Sequence, residues 1–309
     1  MSAHLEQVVA GLRAAPGFGD VRLDECRITR LGGLTNLVYR VDTRGQSLIV
    51  RIPGAGTGDY IDRGVEATNA RAAHRAGVSA RVLHADAVTG LMVSEAIADI
   101  VTMTPALFAS RAGAAGRAGA ALAKLHTSGV AFDFRFELFA MIAEYLKVLS
   151  GKDVALPDGY HDVVAAAAPV KDLLAAHPLP LAPCHCDPLC ENFLDDGAVM
   201  WIVDWEYSGM NDPIWDVGDL AVEAEMTPDQ EAELMRGYFG GDPTPAQVGR
   251  MVIYKAMCDL LWTLWGLIQL ADGNEVEDFW AYATGRFSRC KALMADPAWE
   301  GHLAAVAAG

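Results

Sequence analysis

Positive charge is scarce in this 309-residue chain: 24 Lys and Arg stand against 40 Asp and Glu, a net charge of −16. That deficit argues against nucleic acid or an anionic membrane as partner, since both need a broad basic face. A local phosphate site built from backbone N–H groups and a metal survives it. Long apolar runs are missing too. The most hydrophobic late stretch, Met257 to Leu270, contains Asp259 and is too short between charges to span a bilayer, so no membrane insertion is expected. The opening MSAHLEQVVAGLRAAPG has no basic start followed by a long apolar core, so no signal peptide is expected and the protein is read as cytoplasmic. The six cysteines give no zinc ribbon or finger spacing. Cys184, His185, Cys186 and Cys190 are close in sequence, but Pro188 interrupts them and no second cysteine pair follows, which argues against structural zinc. No repeat and no low-complexity linker is visible.

What is present can build a large core: 52% of residues are hydrophobic and 21% charged, the composition of one large or two modest domains. A short amphipathic helix is expected over residues 4 to 14. Candidate strands follow at Cys26 to Leu31, Leu37 to Val41 and Ser47 to Ile52. They are joined by turns too short for parallel crossovers, so they pair antiparallel. A helix over 62 to 76 and strands at Ala80 to His84 and Leu91 to Ala96 complete a small α+β unit, residues 1–96. The remainder, 97–309, reads as mostly helical: 105 to 127, 136 to 149, 159 to 176, 215 to 225, 228 to 239, 245 to 271 and 275 to 294. Glycines within 105 to 127 permit close helix packing. A short strand pair, Phe193-Leu194 with Val199 to Val203, interrupts the helices. The fold class is therefore α+β, a smaller strand-rich lobe on a larger helical lobe with a cleft between.

The block CHCDPLCENFLDDGAVMWIVDWEYSGMNDPIWD carries the chemistry. In it, His185-Cys186-Asp187 precedes Asn192 by a short loop, and Asp204 ends an apolar strand twelve residues later. Asn192 and Asp204 are oxygen donors suited to Mg²⁺, and Asp187 is left to orient an attacking hydroxyl. Phosphoryl transfer to an alcohol needs that division of labour. A single aspartate in a loop is usually only a cap or turn residue; the ordered set H-x-D-x4-N then D-W-E is much harder to explain so. Upstream, Gly32, Gly33, Thr35 and Asn36 form a glycine turn whose backbone can approach phosphate oxygens. Arg51 lies in an otherwise apolar strand and needs an anion, either a nucleotide phosphate or Glu66.

These motifs together resemble the choline/ethanolamine kinase family, in particular the bacterial choline kinases, within the aminoglycoside-phosphotransferase-like, protein kinase-like group. The matching segments are LGGLTNLVYRV, LIVRIPG, DRGVEATNA, HCDPLCENFL, VDWEYSGMNDPIWDVGDL, LLWTLWGLIQ and DFWAYATGRF, between about residues 25 and 290. The resemblance implies a bilobal protein kinase-like fold and transfer of the γ-phosphate of ATP to a small amino alcohol with Mg²⁺. It implies that Asp187 is the catalytic base and that Asn192 and Asp204 hold the metal. Arg51 stands where most of the wider group has lysine, paired with Glu66, and the Met92 to Ile97 segment, with Glu95 and Ile97, holds adenine. Cys186 stands where the family pattern usually has Asn. Choline is the implied acceptor, bound by Trp262, Trp265 and Tyr282 with Tyr207 and Glu206 beside them; Trp280 lies on the same helical segment as Tyr282. Asp216 and Glu223 are further acidic neighbours, and Asp216 could instead fix the catalytic loop. Aromatic faces with nearby carboxylates bind quaternary ammonium groups, although two tryptophans three apart on a helix can equally be a packing stripe. Ethanolamine, thiamine or an aminoglycoside is the alternative acceptor; a non-catalytic nucleotide- or amine-binding protein is less favoured, because Asp187 and Asp204 are both present, and a homodimer is open as the assembly. A protein kinase is disfavoured, because H-R-D, D-F-G and A-P-E signatures are absent.

Overall fold

Strand alternation sets the orientation of the smaller lobe. The computed structural model describes residues 2–32, 36–54 and 61–309, with 2–4 by backbone alone. Arg27–Arg30, Leu37–Thr43, Gln46–Ile52, Val82–Ala85 and Met92–Glu95 form strands β1 to β5 of one antiparallel sheet, ordered β1-β2-β3-β5-β4. Tyr39, Val41, Leu48, Val50 and Val93 cover one face, and α1 (Ser2–Arg13) packs on it through Val8, Val9 and Leu12. Because successive side chains alternate, Arg51 lies on the opposite face from Val50. There it meets α2 (Arg63–Arg75), whose first turn is capped by Asp62 accepting from the N–H groups of Gly64 and Val65.

Helix α2 is sequence-adjacent to the sheet but packs elsewhere. Ala70, Ala72 and Ala73, with Ala76 and Val78 beyond them, join the larger core that contains Leu122, Ile202 and Trp205. Asn69 fastens the contact: its amide donates to the Ser208 carbonyl at 2.9 Å, and its Oδ1 accepts from Asp133 N at 3.0 Å. Ile202 N also donates to Val78 O at 2.8 Å. The two lobes are stitched together directly behind the cleft.

The remaining helices are α3 (Pro105–Ser110), α4 (Ala114–His126), α5 (Leu138–Ser150), α6 (Tyr160–Ala166), α7 (Ala168–Ala176), α8 (Ile214–Glu223), α9 (Pro228–Phe239), α10 (Pro245–Ala271), α11 (Phe279–Met294) and α12 (Trp299–Ala308). Two expected helices are each broken in two. The stretch 105 to 127 breaks at Gly113, which adopts φ 75°, while Arg111 and Arg117 turn to the buried Asp195. The stretch 159 to 176 breaks at Ala167, two residues before Pro169, which has no N–H to continue the ladder. The hairpin of β8 (Phe193–Asp195) and β9 (Met200–Ile202) forms as expected and gains β6 (Val101–Thr102) on its outer edge, while β7 (Ala182–Cys184) pairs with β10 (Gly209–Asn211). β6, β7 and β10 were not anticipated: two or three residues carry no readable period. Helix α12 was missed as well.

Helix α10 is the central post of the larger lobe. Thr244 and Gln247 close a capping box at its start, with Pro245 in the first turn. It is long and apolar enough to cross a membrane, but most of it is buried in this protein against α5, α8, α11 and α12.

Helices α4 and α9 cross where glycine replaces side chains. A Cβ at Gly119 would run into the Leu234 carbonyl, and one at Gly237 into the Gly116 carbonyl. Backbone cannot retreat as a side chain can, so Gly119→Ala and Gly237→Ala should each cost about 3 kcal/mol. Thermal unfolding of Gly241→Ala, where a Cβ meets nothing within 4 Å, is the control and should match the unsubstituted protein. Equal midpoints for all three variants would contradict the packing argument.

Candidate active site

The loop after β7 is held from behind by one carboxylate. Asp216, in the first turn of α8 and fully buried, accepts His185 N at 2.6 Å on Oδ2 and Cys186 N at 2.8 Å on Oδ1. His126 of α4 lies 3.0 Å from the same Oδ2, and its other ring nitrogen lies 2.8 Å from the Tyr238 hydroxyl. Trp215 Nε1 donates to Cys186 O at 3.1 Å. Asp216 is therefore the support of the loop, and it is not among the residues lining the aromatic pocket described below. The loop delivers Asp187, half-buried at the cleft. Burial, then the charges of Glu223, Asp204 and Glu206, push the Asp187 carboxyl well above the usual range.

Asn192 and Asp204 come together at the base of the β8–β9 hairpin, where Val203 N donates to Asn192 O at 3.0 Å. The Asn192 amide donates to Asp187 O at 3.0 Å, which commits its N–H side and leaves Oδ1 for another partner. Asp204 turns away from β9 with φ 67° and receives Arg51 at 2.7 Å. An amide oxygen and a carboxylate close together suit a hard cation such as Mg²⁺. Arg51 also pairs with Glu66, so its place on the inner face answers the anion question left open by sequence. Arg63 bridges Glu66 at 2.8 Å and Glu206 at 3.2 Å, and Asn36 donates to Glu206 at 3.3 Å. Burial first, then Asp204, pushes the Glu206 carboxyl up to about 7 against the pull of Arg51.

Across Asp187 from this charged cluster lies an aromatic pocket lined by Asp187, Leu189, Tyr207, Trp262, Trp265, Glu277 and Tyr282. Tyr207 meets Trp262 edge-on with centroids 5.7 Å apart, and Trp265 meets Tyr282 at the same separation. Trp265 Nε1 donates to the Tyr207 hydroxyl at 3.1 Å, and Trp262 Nε1 to Asp219 at 3.2 Å. Arg286 sits over the Tyr282 ring at 4.6 Å and pairs with Glu223 and Asp259. Both tryptophans thus have one indole edge fixed by a hydrogen bond.

The structure brings Tyr207, Trp262, Trp265 and Tyr282 together as the sequence predicts, but it separates Glu206 from them: that side chain belongs to the Asn36–Arg63 cluster. Trp280 points outward, 42% exposed, because it is two positions from Tyr282 on a helix. Gly32 is an exposed loop residue, and Gly33 and Thr35 lie outside the described residues. Glu95 ends β5 with an exposed side chain 3.6 Å from Arg81, and Ile97 follows the last sheet bond, Ala96 N to Ser47 O at 3.0 Å. The three cysteines of the loop each lie against a backbone carbonyl: Cys184 against Asn211, Cys186 against Gly209, Cys190 against Glu223. Sequence reading did not anticipate Arg63, Asp219, Glu277 or Arg286. Arg63, three before Glu66, was the most readable of these.

The sequence pattern of the phosphotransferase enzyme family matches residues 27–248. A choline/ethanolamine kinase family protein from Mesorhizobium loti is 60% identical, covers 98% of this chain and 99% of its own, and superposes with TM-score 0.89. The choline kinase LicA from Streptococcus pneumoniae is 26% identical over 95% of this chain and 98% of its own, with TM-score 0.77. A LicA structure in complex with AMP gives 26% identity, coverage of 87% and 91%, and TM-score 0.71.

Cys186 holds φ 67°, a left-handed conformation that Asn tolerates better than most residues. Its thiol already lies against the Cys184 and Gly209 carbonyls, acceptors that an Asn amide could use. Cys186→Asn should raise stability by about 1 kcal/mol in thermal unfolding. A lower midpoint for Cys186→Asn together with a higher one for Cys186→Gly would show that side-chain space, not the amide, governs this position.

Proposed function

The chain belongs to the phosphotransferase enzyme family and, at 60% identity to one of its members, to the choline/ethanolamine kinase family; on that footing we propose that it transfers the γ-phosphate of ATP to the hydroxyl of choline, giving phosphocholine and ADP. One observation carries the reading. Asp187 and the aromatic side chains of Trp262, Trp265 and Tyr282 line a single pocket, so a cation held among the rings presents its hydroxyl to the carboxylate.

The nucleotide occupies the cleft under the sheet. Arg51, on the inner sheet face and already committed to two carboxylates, offers its planar fork to phosphate oxygens. Asn192 and Asp204 would hold Mg²⁺, which would draw charge from the phosphates when bound. Asp187 orients the choline hydroxyl for in-line attack and accepts its proton. Trp262 and Trp265 exclude water from the cation, and the hydrogen bonds to Asp219 and Tyr207 keep the rings in place.

Steady-state kinetics with choline and ATP tests this. Asp187→Asn should keep the fold and lower kcat at least about a hundredfold. Trp265→Ala should raise the choline KM about tenfold with the ATP KM unchanged. Near-normal turnover by Asp187→Asn, or equal changes in both KM values for Trp265→Ala, would contradict the assigned roles.

A further inference from the structure

Directly after Trp265, helix α10 carries a buried glycine, and a wall of the aromatic pocket takes up the space its side chain would need. A Cβ at Gly266 would lie 2.6 Å from Tyr282 Cδ1, 3.1 Å from Tyr282 Cε1 and 3.3 Å from the Ala283 Cβ. Non-bonded carbons do not approach to 2.6 Å, because repulsion rises steeply inside their optimal separation. Tyr282 therefore stands where any other residue at 266 would place its first side-chain carbon. The two helices are tied together at this level. Arg286 and Arg289 of α11 pair with Asp259 of α10 at 3.1 and 2.6 Å, and the Thr263 hydroxyl lies 3.4 Å from Ala283 O. Around the Tyr282 ring, Trp265 and Phe279 meet it edge-on with centroids 5.7 and 6.1 Å apart, and Arg286 stands over it at 4.6 Å. Its open side is the pocket it lines with Asp187 and the two tryptophans. A ring displaced from Gly266 yields into that cavity, since close-packed neighbours resist and empty space does not.

We propose that Gly266 is a specificity-determining residue: by lacking a side chain it lets Tyr282 stand back, and so sets the largest ammonium group the pocket admits. This deepens the acceptor reading above and rests on it. Gly266 acts through Tyr282 and is a positioning residue. Choline and ethanolamine carry the same charge and the same hydroxyl, and differ by three methyl groups on nitrogen. A wall advanced by a few tenths of an ångström therefore meets the trimethylammonium group first and leaves the smaller ammonium group room. One methyl-sized misfit in an apolar pocket is worth roughly ten- to two-hundredfold in discrimination.

The test compares choline with ethanolamine in the unsubstituted protein, in Gly266→Ala and in Gly249→Ala. Binding is followed by tryptophan fluorescence and turnover by ADP release. Gly266→Ala should raise the choline KM and Kd about tenfold, and lower the choline-to-ethanolamine ratio of kcat/KM by a similar factor. The ATP KM should stay as it is. Gly249→Ala is the control on the same helix: its Cβ would lie 2.7 Å from His302 O of α12, so it should lower the unfolding midpoint and leave the ratio unchanged. In a Tyr282→Leu background there is no ring to displace, and Gly266→Ala should no longer change the ratio. Where Gly266→Ala does not fold, Gly266→Ala/Ala283→Gly gives back the space at the Ala283 Cβ and is read in the same way. An unchanged ratio overturns the proposal. So does an equal fall in Gly249→Ala, which indicates a loosened α10, or an equal fall in the Tyr282→Leu background, which indicates a route other than the ring. If the unsubstituted protein neither binds nor phosphorylates choline, the acceptor reading falls and the proposal with it; that outcome is separate from a choline preference that Gly266→Ala leaves intact.

Discussion

Two adjacent backbone N–H groups, those of His185 and Cys186, end on one buried carboxylate, and the placement of the site hangs on that pair of bonds. A buried carboxylate must be satisfied by donors. Asp216 takes them from the loop and from the His126 side, and so ties β7, α4 and α8 to one point. Cys186 is left-handed because both N–H groups must converge on the same residue. Asp187 is then the first residue free to enter the cleft. Backbone strain at such a point persists only where the surroundings over-determine it, and here buried side chains do so from three elements.

On either side of Asp187 the protein keeps two different electrostatic environments. Toward the sheet, Arg51 and Arg63 face Glu66, Asp204 and Glu206 in a network in which each charge has a partner. Such a network suits phosphates and a metal, since incoming anions and cations can exchange for partners already present. Toward α10 and α11 the walls are aromatic, with Arg286 withdrawn behind Tyr282 and bound to Glu223 and Asp259. Withdrawing that cation from the pocket leaves its rings and carboxylates for a ligand of positive charge. A net charge of −16 is therefore compatible with phosphate chemistry, because the cations needed are few and placed individually.

Some of this was legible in the chain. H-x-D-x4-N and D-W-E could be read because their residues are contiguous and the hairpin between them is short, so spacing translates directly into proximity. The aromatic pair on α10 was legible for the same reason, through helical periodicity. Glu206 was not: it is one residue from Tyr207, yet the left-handed turn at Asp204 sends it to Arg63 and Asn36. The face of β3 that carries Arg51 could not be chosen from alternation alone, because Ile49 is neither clearly core nor surface. Glu277 looked like one more loop acid, and only the antiparallel return of α11 along α10 brings it to the pocket. The interrupted helices followed from packing and proline, Arg111 and Arg117 on Asp195 in one case and Pro169 in the other.

In the proposed function, one pocket joins a hydroxyl-orienting carboxylate to a surface that holds a quaternary cation. The most direct measurement is ATP turnover with Mg²⁺ against choline, ethanolamine, thiamine and kanamycin, compared by kcat/KM. Choline should be preferred over ethanolamine by at least about tenfold, because the methyl groups are what the rings bind. Equal or better turnover of ethanolamine, thiamine or kanamycin would contradict it.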